Sequence, residues 1–79
     1  MITVTLNRQN NTLPLYIQLY ENIKKDIILK KLPPDTMLPS KRSFAAHINV
    51  SIKTIENAYS QLLLEGYIYS VEKDRKSVV

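Results

Sequence analysis

The sequence predicts a mainly α-helical fold with a small β-hairpin, in which three helices are followed by two strands. Apolar residues recur at three- and four-residue intervals in two segments, residues 14–31 and 52–65. Three prolines between residues 32 and 40 separate these segments, and a run of β-branched and aromatic residues follows the only glycine. The 79 residues, 44% of them hydrophobic, suffice for one small domain. A domain of this size depends on efficient helix packing or on a partner.

The first helix is predicted from Pro14 to Lys31. Its apolar stripe, expected to face the core, consists of Tyr16, Leu19, Tyr20, Ile23, Ile27 and Ile28. Proline suits a helix start, because the N–H that it lacks would have no partner there. Residues 1–13 are polar and rich in Asn and Thr, so we predict an N-terminal arm, with a short strand at residues 2–6 as the alternative.

The segment LPPDTMLPS is predicted to be a turn, because its prolines interrupt a helix and Asp35 favours a turn. Ser40 is placed to cap a short second helix, residues 41–48. The inward side chains of this helix are predicted to be Phe44, Ala45 and Ile48. Asn49 then begins a tight connection, since asparagine tolerates the left-handed conformation that such a turn requires.

A third helix is predicted over residues 52–65, capped by Ser51 and ended by Gly66, the residue type that takes a left-handed conformation most easily. Its inward stripe is predicted to be Ile55, Ala58, Tyr59, Leu62 and Leu63. Tyr59 and Tyr67 are predicted as core residues whose hydroxyls reach the surface. The hairpin is predicted as a strand at 67–71, a turn at 72–76 and a returning strand at 77–79.

The residue types disfavour an enzyme. The chain has no cysteine, one histidine and seven scattered carboxylates, so no nucleophile and base or metal-ligand set has a workable spacing. We expect no catalytic residue, metal, cofactor or small-molecule ligand in this chain. No apolar run approaches the roughly 18 residues of a membrane span, and the N-terminus lacks the pattern of a signal peptide. We therefore expect a cytoplasmic protein.

The charge distribution favours a nucleic-acid partner. Eleven Lys and Arg against seven Asp and Glu leave a net charge of +4, which attracts polyanions. Between Asp35 and Glu56 the only charged residues are Lys41, Arg42 and Lys53. They fall at two helix starts, where backbone N–H groups also favour phosphate. In a helix-turn-helix the second helix of the motif presents such residues to the major groove. The residues predicted on this outward face are Ser51, Lys53, Thr54 and Asn57.

The stretch LPSKRSFAAHINVSIKTIENAYSQLLLEGYI resembles the N-terminal winged helix-turn-helix domain of the GntR family of bacterial transcription regulators. That pattern runs L-P-S-x-R-x-L-A, then V-S-R-x-T-V, then A-Y-x-x-L-x-x-E-G-Y, and PLYIQLYENIKKDI is similar to the family's first helix. P-S-K-R and E-N-A-Y-x-Q-L are most similar to the MocR branch. That branch carries a further domain that binds pyridoxal phosphate, so any cofactor is expected outside this chain, which would be a fragment or a solitary DNA-binding module.

The resemblance implies DNA contact by Arg42 from the second helix and by residues at the start of the third. The candidate DNA-binding residues are Ser40, Lys41, Arg42, Ser51, Ile52, Lys53, Thr54, Asn57 and Lys73. The chain departs from the family at Ile52, where Arg is usual, and at Glu56, which is often basic. The glycine expected at the tip of the wing is also missing, which weakens the prediction for Lys73.

Several of these residues have two interpretations. Ile52 either touches a thymine methyl group in the major groove or leans onto the protein's own surface. Glu56 either accepts a hydrogen bond from a cytosine amino group or is a solvated charge that lowers nonspecific affinity. The hydroxyls of Ser51 and Thr54 either cap the helix only or also contact phosphate.

The function predicted is sequence-specific binding of double-stranded DNA by a homodimer, with residues 51–57 in a major groove of each half-site. The alternative is a winged helix that binds another protein without DNA, with Ile52 in the interface. A third and weaker hypothesis is that the basic first helix lies on a membrane surface.

Overall fold

The computed structural model describes residues 13–72 and 75–79. The elements are α1 (Leu15–Ile28), α2 (Lys41–Ile48), α3 (Ile52–Leu64), β1 (Ile68–Glu72) and β2 (Arg75–Val78). The two strands form an antiparallel hairpin. The predicted fold class, three helices followed by a β-hairpin, is therefore confirmed. The proposed arm lies outside the described residues, except for Leu13.

Helix α3 is at the centre of the domain and contacts α1, α2 and β1. Its inward face is fully buried at Ile55, Ala58 and Leu62. The side chains that complete the centre of the core are Leu19, Ile23, Phe44, Tyr59 and Val78. Because α1, α2 and β1 all pack on α3, its position is fixed by the core of the domain.

Both predicted serine caps are present. The Ser40 hydroxyl accepts a hydrogen bond from the backbone N–H of Ser43 at 3.3 Å, and the Ser51 hydroxyl accepts one from the N–H of Thr54 at 3.2 Å. Asn49 separates the two helices in the predicted left-handed conformation, with φ of 57°. These three residues set where α2 begins and ends and where α3 begins.

Helix α1 ends three residues earlier than predicted. Lys30 is left-handed, with φ of 61°, and the N–H of Lys31 donates to the carbonyl of Asp26 at 2.9 Å. This termination closes the helix at Ile28, so the prediction of Ile28 as an inward residue was wrong: its exposed fraction is 58%. Gly66 ends α3 in the same way, as predicted, with φ of 82°.

The hairpin differs from the prediction at both strands. β2 starts at Arg75 rather than at residue 77, and β1 ends at Glu72. The segment predicted only as a turn also pairs with β2. The N–H of Leu38 donates to the carbonyl of Lys76 at 2.8 Å, and the N–H of Val78 donates to the carbonyl of Thr36 at 2.9 Å. This pairing is possible because the prolines flank residues 35–38 and leave their N–H groups free to donate.

None of the helices in residues 13–72 and 75–79 is long and apolar enough to cross a membrane. The face of α1 opposite its basic residues is buried in the domain. Leu19 and Ile23 have no exposed surface, and Tyr20 is 7% exposed. The apolar side chains at the centre of α1 therefore pack against the core of the domain.

Candidate nucleic-acid interface

The starts of α2 and α3 lie side by side on one surface. The ammonium group of Lys41, the first residue of α2, is 3.6 Å from a carboxylate oxygen of Glu56 on α3. A shallow cleft of about 270 Å³ runs between the two helix starts. Its lining residues are Ser40, Lys41, Arg42 and Ile52. Candidate residues from two separate parts of the sequence, residues 40–42 and Ile52, are thus brought together.

Tyr59 of α3 is joined to the start of α2 through a hydrogen bond. Its hydroxyl donates a hydrogen bond of 2.8 Å to the carbonyl of Pro39, the residue before the Ser40 cap. The ring is 1% exposed, so the prediction that this hydroxyl reaches the surface was wrong. Burial raises the pKa of Tyr59 well above its usual range, and the hydroxyl keeps its proton. The bond fixes the start of α2 relative to α3.

The hydroxyl groups at the start of α3 are engaged within the helix. Besides accepting the N–H of Thr54, the Ser51 hydroxyl lies 2.9 Å from the Thr54 hydroxyl. Both atoms remain at the surface, where Ser51 is exposed and Thr54 half-buried. Capping by Ser51 is confirmed, and contact of these hydroxyls with phosphate stays a prediction.

The cations of this surface differ in exposure. Arg42 is exposed, the side chain of Lys53 is 75% exposed, and that of Lys41 is 26% exposed. Each helix start also carries the partial positive charge of its unpaired backbone N–H groups. The surface can therefore attract an anion at two neighbouring points.

Glu56 lies between two of these cations. One of its carboxylate oxygens is 3.4 Å from the ammonium group of Lys53, and the other faces Lys41. The hydrogen bond from Lys53, the charge of Lys41 and that of Lys53 lower the pKa of Glu56 below its usual value. Glu56 is therefore ionised at neutral pH, and both interpretations of its role stay predictions.

Ile52 and Asn57 complete the outward side of α3. Ile52 is 44% exposed and forms one wall of the cleft beside Arg42. Asn57 is half-buried, one turn after Lys53 on the same helix. Lys73, the candidate at the tip of the hairpin, lies outside the described residues.

Strand β2 contains two basic residues, Arg75 and Lys76, that the sequence analysis placed in a turn. Lys76 lies in β2 and is 7% exposed, on the same side of the strand as the buried Val78. Its neighbour Arg75 donates to the sulfur of Met37 at 3.3 Å. The alternating positions of Lys76 and Val78 could have indicated a strand. The charged run at residues 72–76, to which Lys76 belongs, favoured the prediction of a turn instead.

A second polar cluster lies at the opposite end of α3. The Tyr20 hydroxyl donates to the carboxylate of Glu65, which also accepts from Gln61 at 2.7 Å. Lys24 donates to the Tyr20 hydroxyl at 3.3 Å and lies over the ring of Tyr67. These bonds lower the pKa of Glu65, the bond from Tyr20 contributing most. The cluster joins α1 to α3 and is distinct from the candidate interface.

This architecture is that of a winged helix-turn-helix domain, in which α2 and α3 form the motif and the hairpin is the wing. Residues 15–77 match the model of the gntR family of bacterial regulatory proteins. The chain therefore belongs to the GntR family of transcription regulators, and the predicted resemblance is confirmed.

Individual relatives agree with this assignment. The chain is 44% identical over 72 residues to the HTH-type transcriptional regulator YhdI of Bacillus subtilis, covering 91% of this chain and 15% of YhdI. It is 40% identical over 57 residues to the "Probable rhizopine catabolism regulatory protein MocR" of Rhizobium meliloti, covering 72% of this chain and 12% of MocR. The chain thus spans a small part of these regulators.

The fold is similar to that of a solved DNA complex. The structure of AraR(DBD) in complex with operator ORX1 superposes with a TM-score of 0.83 at 29% sequence identity. The match covers 96% of each chain. The family and these relatives are transcription regulators rather than enzymes.

Proposed function

We propose that this domain binds double-stranded DNA in a sequence-specific manner, with the N-terminal end of α3 in the major groove. The observation that carries the proposal is the surface at which two capped helix starts and the cations Lys41, Arg42 and Lys53 lie together. Residues 14–79 would be the binding domain and residues 1–13 an arm. The operator complex of AraR(DBD), a protein of the same fold, supports this function.

Some side chains of this surface would contact the phosphate backbone of DNA, and others would contact base edges. Phosphate oxygens would accept from Arg42 and Lys53, and from Lys41 once it leaves Glu56. The serines would add their backbone N–H groups at the helix starts. The residues facing base edges would be Ile52 and Asn57, and Ile52 offers an apolar contact to a thymine methyl group.

Further proposals concern the whole regulator. Two copies would bind as a homodimer, because the helix-turn-helix of one domain reads only one half-site. The domain itself needs no cofactor, and similarity to MocR supports a pyridoxal phosphate domain elsewhere in a longer protein. We expect the regulator to act in the bacterial cytoplasm, where its operator is.

The first test is selection of bound sequences from a random DNA pool, followed by measurement of affinity at several salt concentrations. We expect enrichment of one sequence, in two copies at a fixed spacing if a dimer binds. The affinity should fall steeply with salt, because each neutralised phosphate releases a counterion. Failure to enrich any sequence, with no mobility shift of DNA at low salt, would contradict the proposal.

Two substitutions test the orientation of α3. Lys53→Ala should weaken binding to all sequences and reduce the salt slope by about 1, because it removes a phosphate contact. Ile52→Ala should instead change the preferred base at one position. If both variants bind the selected sequence as the parent does, the N-terminal end of α3 is not the contact surface.

Lys25→Ala is the matched control for Lys53→Ala. Lys25 follows Lys24, which lies beside Tyr67 beyond the C-terminal end of α3. Helix α3 has 13 residues and is about 20 Å long, so Lys25 is far from the proposed contacts. Its substitution changes the net charge by the same amount and should reduce affinity less.

The exposed Ile52 is the one observation that favours the alternative function. At 44% exposure it suits a protein interface as well as a groove. The retained cations beside it favour DNA, since a surface of Lys41, Arg42 and Lys53 attracts phosphate. A specific protein partner that requires Ile52, together with absent DNA binding at low salt, would establish the alternative.

A further inference from the structure

We propose that Glu56 is a positioning residue that increases the preference of the domain for its operator over other DNA: it pairs with Lys41 and Lys53 in the free protein, and once these lysines move to phosphate it finds a hydrogen-bond donor only on the operator. This inference rests on the proposed function. It assigns a role to a carboxylate in the middle of a surface that otherwise suits phosphate.

The geometry places one carboxylate between the two helix starts. Its two oxygens face different lysines, one from α2 and one from α3, at 3.6 and 3.4 Å. Lys53 is three residues before Glu56 on the same helix, whereas Lys41 belongs to the preceding helix. Glu56 therefore pairs with one ammonium group from each of the two helices in the free protein.

These ion pairs are suited to exchange. The Glu56 side chain is 43% exposed and that of Lys53 is 75% exposed, so water and salt screen the attraction between them. A DNA phosphate is a stronger partner, because it is part of a dense array of negative charge. Binding can therefore transfer the lysines from the carboxylate to the backbone of DNA.

The transfer leaves Glu56 without its partners and close to phosphates. On most sequences the repulsion between carboxylate and phosphate remains and lowers the affinity. Where a base edge presents an amino group, such as N4 of cytosine, Glu56 can accept a hydrogen bond from it and the loss is offset. Repulsion against wrong partners combined with attraction to the right one produces specificity. The expected ligand of Glu56 is therefore a cytosine amino group in the operator.

The test compares the parent with Glu56→Gln on two duplexes, the selected operator and an unrelated sequence of equal length. We expect the variant to bind the unrelated duplex about tenfold more tightly, because both lysines are released and a repulsive charge is lost. Its salt slope should become steeper by about 1, because one negative charge that opposes the contacts of the lysines with phosphate is removed. Binding to the operator should tighten by less than threefold, or weaken, so the ratio of the two affinities falls.

Two outcomes would overturn the inference. Unchanged affinity for the unrelated duplex would show that Glu56 does not restrain the lysines. Equal tightening on both duplexes would show a general repulsive charge without discrimination. Absence of DNA binding by the parent is a different result, since it contradicts the proposed function itself.

Control variants separate this role from an effect on folding. Glu21→Gln removes one exposed carboxylate from α1 and should leave the ratio of affinities unchanged. In a Lys41→Ala background, Glu56→Gln should change the affinity for the unrelated duplex less than it does in the parent. The reason is that one of the two lysines paired with Glu56 is absent. An equal change in both backgrounds would exclude a mechanism that acts through Lys41. Circular dichroism of each variant verifies that the domain is folded.

Discussion

The two ends of α3 hold their carboxylates in different ways. At the N-terminal end, Glu56 is bound by lysines, one of them 75% exposed. At the C-terminal end, Glu65 accepts from Tyr20, a core residue that is 7% exposed, and from Gln61. The first arrangement can exchange its partners for a ligand. The second joins α3 to a side chain that the core already fixes.

This difference separates recognition from stability along one helix. Substitutions near Glu65 and in the core should change the free energy of unfolding and leave the relative affinities for different DNA sequences intact. Substitutions near Glu56 should do the reverse. The predictions below test that separation, from the largest effect to the smallest.

Leu62→Ala should have the largest effect on stability. Leu62 has no exposed surface, and its truncation leaves a cavity in the core, so we expect a loss of about 2 to 5 kcal/mol in the free energy of unfolding. Leu64→Ala is the matched control, because Leu64 is 80% exposed and should cost less than about 0.5 kcal/mol. Urea denaturation measures both. Equal losses would contradict the described orientation of α3.

Tyr59→Phe should have an intermediate effect, on both the stability of the domain and its affinity for DNA. Loss of the hydrogen bond to the carbonyl of Pro39 should lower the free energy of unfolding by about 1 kcal/mol. It should also weaken operator binding, since the start of α2 is no longer fixed to α3. Tyr16→Phe, which removes one hydroxyl from α1, is the control. Unchanged DNA affinity in Tyr59→Phe would show that this bond serves stability alone.

The smallest expected effect is in the pH dependence of stability. The pKa values of Glu56 and Glu65 are lower in the folded domain than the ordinary 4.5. A depressed pKa stabilises the fold above the ordinary value, and this contribution is lost as pH falls through the lower, folded-state pKa. Thermal unfolding measured from neutral pH down to acid should therefore show a smaller decrease in Glu65→Gln than in the parent.

Salt distinguishes the two carboxylates in the same experiment. High salt should suppress the contribution of Glu56, whose partners are charged and exposed, because ionic screening acts on such pairs. The contribution of Glu65 should persist, because its main partner is the neutral hydroxyl of Tyr20. Equal sensitivity to salt would remove the distinction between the two ends.

Local features of this fold could be predicted from the sequence, because the residues that cause them are neighbours. The caps at Ser40 and Ser51, the left-handed Asn49 and the helix end at Gly66 all follow from side-chain or backbone preferences within four residues. The same holds for the apolar stripes that define the three helices. Of the candidate site, the sequence indicated which residues lie at the helix starts.

The features that the sequence did not predict depend on segments that are distant in the chain. Neither the ion pair between Lys41 and Glu56 nor the bond from Tyr59 to Pro39 can be inferred without the packing of α2 on α3. The pairing of residues 36–38 with β2 was missed for the same reason. Lys30 is an exception, since it adopts a conformation that lysine seldom takes, and the Asp26 carbonyl that accepts from Lys31 stabilises it.

The pairing of residues 36–38 with β2 has a consequence for the order of folding. It joins the connection between α1 and α2 to the last strand, so a long loop must close before these hydrogen bonds can form. The contacts between α2 and α3 close shorter loops, and we expect them to form first. The pairing of residues 36–38 with β2 would then form later than the contacts between α2 and α3. Ser40 closely follows this edge, so the start of α2 would be joined to α3 before it is joined to β2.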